Sequence, residues 1–153
     1  MAGSDTFSTY ITPTGLAAAD PNGICLTQTP GSASNLTING ALQSGGVATL
    51  VPARNVTITS GGSSETGKTF TITGTATDGT TVTEAIAGPG GSATVSTTAL
   101  FETVTQVAVD AATAGAVTVG SGTTVNQVVF AGRTRLRGIY IVNAGAAGDL
   151  DFK

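Results

Sequence analysis

Residues Gly62-Ser-Ser-Glu-Thr-Gly67-Lys68-Thr69 fit the spacing G-x-x-x-x-G-K-[ST] of a phosphate-cradling loop. That loop works because a helix begins at the lysine, so that its N-terminal amides and dipole meet the phosphates. Here Lys68 opens KTFTITGTAT (68–77), which alternates with period two and is rich in β-branched residues. A strand supplies no helix terminus. Asp110, closing QVAVD (106–110), is the nearest acid that could hold a magnesium water, and no βαβ pattern surrounds it. The expectation is a Gly/Ser hairpin loop that binds no nucleotide.

The remaining candidates for chemistry are few. His is absent, which removes the usual general base and the usual zinc ligand. Cys25 is the single cysteine, so neither an internal disulfide nor a cysteine metal cluster exists, and between Ile24 and Leu26 it reads as a small buried thiol in a strand. The carboxylates are Asp5, Asp20, Glu65, Asp78, Glu84, Glu102, Asp110, Asp149 and Asp151. Glycoside hydrolysis needs two of them across a cleft beside aromatic platforms, and the chain has no Trp and 2 Tyr. Asp149 and Asp151 share a strand face, which reads as a charged edge that discourages aggregation rather than as a calcium pair. No catalytic residue, cofactor site or metal site is expected.

Arg133, Arg135 and Arg137 are half of the 6 basic residues and fall within five positions. On an extended strand they share one face. Nucleic-acid binding would use them on phosphates, but a functional patch usually makes the whole domain basic, and the net charge here is −3. A contact with a subunit or partner is the leading reading, ahead of a solvated strand face, because the planar guanidinium pairs bidentately with carboxylates. Only partly buried pairs of this kind contribute appreciably.

Behind these residues lies a β-rich chain. Of 153 residues, 29 are Thr and 22 are Gly, while charged residues make up only 10%. Thr suits pleated, half-buried surfaces and Gly suits turns. Alternating runs follow one another: NLTI (35–38), VATLV (47–51), NVTITS (55–60), KTFTITGTAT (68–77), TVTEAIA (81–87), ATVST (93–97), FETVTQVAVD (101–110) and AVTVG (116–120). Asp78-Gly79 between two of them predicts a hairpin with a type I′ turn. In 68–77, Phe70 and Ile72 face one way and Thr69, Thr71 and Thr73 the other. In 101–110, Val104 is out of phase with Val107 and Val109, which requires either a bulge or cover on both faces.

The fold expected is all-β: a β-sandwich, Ig-like or jelly-roll-like, with an N-terminal arm and a C-terminal strand extension. Residues 1–30, with Pro13, Pro21 and Pro30, form the arm, in which YIT and ICLTQ could pair with a sheet edge; 31–122 form the core; 123–153 form a contact segment. With 5 Phe and no Trp the core should be thin and aliphatic, which favours association. The opening MAGSDTFSTY has no signal-peptide pattern, and no apolar run is long enough to span a membrane. Asn35-Leu-Thr and Asn55-Val-Thr match a glycosylation acceptor by chance in a Thr-rich chain.

Residues 35–90 and 101–120 resemble a β-rich module of structural proteins of tailed-bacteriophage virions. The resemblance rests on Gly-Gly-Val-Ala-Thr-Leu (45–50), Arg-x-Val-Thr-Ile-Thr (54–59), Phe-Thr-Ile-Thr-Gly-Thr (70–75) with Asp78-Gly79, and Asp-Ala-Ala-Thr-Ala-Gly (110–115). It implies a virion protein without catalytic residues: a capsid decoration (cement) protein, self-associating as a homotrimer and bridging copies of the major capsid protein at the capsid surface. The alternatives are a tail or head–tail neck component, or a fibre domain that binds the host surface. No nucleic acid or membrane is an expected partner.

Overall fold

The computed structural model describes residues 18–126, all of them strand, turn or loop, with no helix. The strands are β1 (Asp20–Gln28), β2 (Ser34–Asn35), β3 (Gln43–Ser44), β4 (Val47–Ser60), β5 (Thr69–Thr75), β6 (Thr81–Ala87), β7 (Thr94–Val109) and β8 (Val117–Asn126). They form one open sheet in the order β1-β8-β4-β7-β5-β6, with β2 beside β7 and β3 beside β4. Every pairing is antiparallel. The all-β reading therefore holds. Residues 20–28 of the expected arm are an edge strand of this sheet, with Ile24 and Cys25 fully buried.

The core is thin, as the scarcity of aromatics implied. Phe70 and Phe101 are its largest side chains, packed with Ile24, Leu50, Ile58, Ile72 and a set of valines. Fully burying each of these side chains contributes about 1.5–3 kcal/mol. β5 alternates as expected: Phe70 and Ile72 are buried, while the threonines between them face outward. There Thr73 meets Thr83 of β6 hydroxyl to hydroxyl, and Thr75 meets Thr103 of β7 at 2.7 Å.

Two pairs of runs that alternation separates are continuous strands. VATLV and NVTITS are both β4, and ATVST and FETVTQVAVD are both β7. The breaks between them are bulges, and they lie at one level of the sheet. Thr49↔Thr103 is followed by Arg54↔Phe101, so residues 50–53 of β4, including the cis Val51–Pro52 bond, face the single residue Glu102. Asn55↔Leu100 is followed by Thr57↔Ser96, so Val56 faces Thr97, Thr98 and Ala99. In β8, Arg54↔Val125 is followed by Val56↔Ser121, so Asn55 faces residues 122–124. Extra residues on one strand bend it and sharpen its twist.

A further bulge settles the phase of β7. Thr73↔Gln106 is followed by Gly74↔Val104, which leaves Thr105 unpaired and turns Val104 to the same side as Val107. All three of Val104, Val107 and Val109 are buried.

The 75–81 hairpin corrects one expectation. Gly79 N–H donates to Ala76 C=O, so Thr77 and Asp78 are the central residues of the turn. Gly79 has φ +79°, while Ser92 is the only non-glycine with positive φ among the described residues. This is a three-residue loop with glycine in the left-handed position, not a type I′ turn, which would need positive φ at Asp78 as well. The Asp78 carboxylate takes the amide and hydroxyl of Thr80, and these bonds, the hydroxyl first, hold its pKa below the usual value.

Candidate functional site

The phosphate-loop match is a clasp. β5 begins at Thr69, directly after Lys68, so no helix starts there. Glu65 occupies the middle of the loop with its side chain fully buried. Its carboxylate accepts the amides of Ala114 at 2.9 Å and Gly115 at 2.8 Å, and the Lys68 ammonium lies 2.9 Å away. The lysine that would meet a phosphate is thus held by the protein's own carboxylate. Burial alone would raise the Glu65 pKa, but the Ala114 amide, Lys68 and the Gly115 amide outweigh it and hold the carboxyl below its usual range. Asp110 stands at the foot of the same clasp. It accepts Thr69 N–H at 2.9 Å, the main cause of its own lowered pKa. The two loops, 61–68 and 110–116, are pinned together by these bonds and by Gly61 N–H to Ala116 C=O.

A second polar cluster fills the line of bulges. Thr97 Oγ1 accepts Val56 N–H at 2.9 Å and donates to Ala99 C=O, replacing ladder bonds that the bulge removes. The two amides that the bulge frees, of Thr98 and Ala99, both donate to Glu84 of β6, at 2.9 and 2.7 Å. On the β8 side, Asn55 Oδ1 accepts Thr124 N–H and Arg54 donates to Gly122 C=O. Asn55 is buried and engaged in this way, so it carries no glycan.

Beside Arg54, a depression of about 360 Å³ is lined by Ala18, Asp20, Leu42, Leu50, Val51, Arg54 and Ser121. Arg54 is only 4% exposed, whereas Val51 is 74% exposed. Cys25 is buried, and burial pushes its thiol up to about 12, the inert state expected from its neighbours. Among the described residues, no three of His, Cys, Asp and Glu come together to hold a metal ion.

Comparison of the chain with protein-family models, curated proteins and solved structures gives no match. The arginines expected at a contact, Arg133, Arg135 and Arg137, lie outside the described residues, as do Asp5, Asp149, Asp151 and YIT (10–12). What the sequence did not single out is the pairing of Glu65 with the 110–115 turn and of Glu84 with β7. Glu65 and Glu84 each stand in a segment almost without other charge, and that isolation is the one signal that could have marked them.

Proposed function

We propose that this chain is a structural subunit of a tailed-bacteriophage virion, acting as a capsid decoration protein that associates as a trimer and bridges major capsid subunits. The observation that carries this reading is where the chain enters and leaves the sheet. β1 begins at Asp20, opposite Ser121 of β8, and β8 runs on to Asn126. The described chain therefore enters and leaves at the same end of one antiparallel pair, which sets the attachment points of the expected arm and contact segment side by side. Two weak contacts on one rigid body raise each other's effective concentration, which is what retention on a shell requires.

The motifs behind the resemblance support the same reading, since each coincides with a structural element. Residues 45–50 turn β3 into β4, 54–59 are the far half of β4, 70–75 are β5, and 110–115 supply the amides that hold Glu65. A conserved chemistry is not needed to explain any of them. The sandwich is part of this proposal: the line of bulges in β4, β7 and β8 folds the sheet so that β1, β8 and the far half of β4 stack against β5 and β6. Glu84 reaching from β6 to Thr98 and Ala99 of β7 supports that closure.

Mass spectrometry of purified particles with copy counting tests the assignment. Hundreds of copies per particle are expected for decoration; a single ring's complement would move the protein to the neck or tail, and its absence would overturn the reading. Sedimentation of the isolated protein reads the trimer. Changing Arg133, Arg135 and Arg137 together to Gln should reduce incorporation without unfolding the sheet, and normal incorporation would remove them from the contact.

A further inference from the structure

The two edges of the sheet are treated differently. The outer edge of β1 is covered by residues 36–42. Leu26 N–H donates to Asn39 Oδ1, the Gln28 side-chain amide bonds both backbone groups of Thr37, and Ile24 and Gly23 carbonyls accept amides of Asn39, Gly40 and Leu42. β6, at the other end, has β5 as its only strand partner among the described residues.

The register shows which β6 groups are open. Ala76 N–H donates to Thr80 C=O at one end of the β5–β6 hairpin, and Gly88 N–H to Lys68 C=O at the other. Bonded and non-bonded pairs alternate along an antiparallel ladder, so Val82, Glu84 and Ile86 bond to β5. Thr81, Thr83, Ala85 and Ala87 then turn their N–H and C=O outward, and all four are exposed. Open edges are normally guarded by Pro, Lys, a bulge or an inward charge. β6 has no Pro and no Lys, and its pairing with β5 is regular through all seven residues. Its one charge, Glu84, is already satisfied by the amides of Thr98 and Ala99.

We propose that this edge is completed by residues 133–142 of this same chain type, RTRLRGIYIV, added as a strand along β6. Three arguments select that occupant. The segment has the β-branched and alternating character of a strand and contains no proline. Its three arginines complement a body in which Asp20, Glu65, Asp78, Glu84, Glu102 and Asp110 face only Arg54 and Lys68. Its reach just suffices: a strand laid along the outer side of β6 lies five strand spacings from β8, about 24 Å across the sheet, and seven residues from Asn126 to Arg133 extend about 24 Å. This inference rests on 123–153 being a contact segment and names the surface it contacts.

The test uses the isolated full-length protein and needs no particle, so its outcome is separate from that of the capsid assignment. Trypsin cuts after arginine, and a segment paired in a sheet is cut only when it opens. In native protein, cleavage after Arg133, Arg135 and Arg137 should be slow. Thr83→Pro removes an outward N–H without touching the β5 ladder and should speed that cleavage about tenfold. Ala85→Pro serves as the second variant, and circular dichroism confirms the fold of each. A disulfide between Ala85→Cys and a cysteine scanned through positions 134, 136 and 138 then reports whether the strand comes from the same copy or a neighbour; either result supports the proposal. Equal cleavage rates in native and both proline variants would overturn it. So would a β6–β6 disulfide dimer of Ala85→Cys alone, since a second copy's β6 would then occupy the edge.

Discussion

The hydroxyl of Thr97 takes the amide of Val56 at 2.9 Å, across the widest bulge in β7. A threonine side chain here stands in for a strand. Without it, Val56 N–H would be buried with nothing opposite, because Thr97, Thr98 and Ala99 all crowd that one position. Thr97→Val keeps the shape and removes the acceptor, so it should cost about 1–3 kcal/mol, the desolvation penalty of an orphaned buried amide. Thr83→Val, on the exposed face of β6, should change stability by less than about 0.5 kcal/mol. Urea unfolding of both variants measures the contrast, and equal midpoints would show that Val56 finds another partner.

Glu65 makes stability depend on acid. Its folded pKa lies below the ordinary value of 4.5, so the unfolded chain binds its proton first as pH falls. The stabilisation is therefore fully present above about pH 5 and is lost as pH drops through 4.5 and then through the lower folded value. Glu65→Gln cannot accept both the Ala114 and Gly115 amides with its two side-chain atoms, and it leaves Lys68 without its carboxylate. We expect a loss of about 2–4 kcal/mol at neutral pH. The wild-type slope of stability between pH 5 and 3 should shrink in this variant; an unchanged slope would assign it to Asp78 and Asp110, whose pKa values are also lowered.

Alternation made most of this fold legible. TVTEAIA is β6 to the residue, and the faces of Phe70 and Ile72 are as the pattern places them. What alternation cannot show is an extra residue, because a bulge resets the phase and so looks like a strand end. That is why β4 and β7 each read as two strands, and why Val104 seemed to point the wrong way. The clasp was half visible. The missing helix at Lys68 follows from β-branched residues after it, but the partner of Glu65 comes from Ala114 and Gly115, some fifty residues on, and no local pattern records such a pairing.

Gly74 tests the bulge at Thr105 directly. The bulge sets Gly74 opposite Val104, and a Cβ on Gly74 would collide with the carbonyl oxygen of Thr103. Backbone cannot swing aside as a side chain can, so Gly74→Ala should cost about 3 kcal/mol or more. Gly67→Ala is the matched control: it lies in the phosphate-loop match, yet a Cβ there meets nothing within 4 Å. Thermal unfolding should separate the two clearly. A tolerated Gly74→Ala would mean that the strands can separate and the bulge can move.

Cys25 supplies an independent clock for opening of the sheet. With its thiol pushed up to about 12, only about one part in ten thousand is thiolate at pH 8. Burial adds a second barrier, since the side chain has no exposed surface. A thiol reagent should therefore label native protein only through opening of β1 from β8, which frees Cys25 from opposite Val119. Because β1 is an edge strand, that opening should need less energy than global unfolding. Labelling should then saturate at lower urea than the loss of circular dichroism. Coincidence of the two transitions would show instead that the amide clamps of Gln28 and Asn39 make β1 part of the cooperative unit.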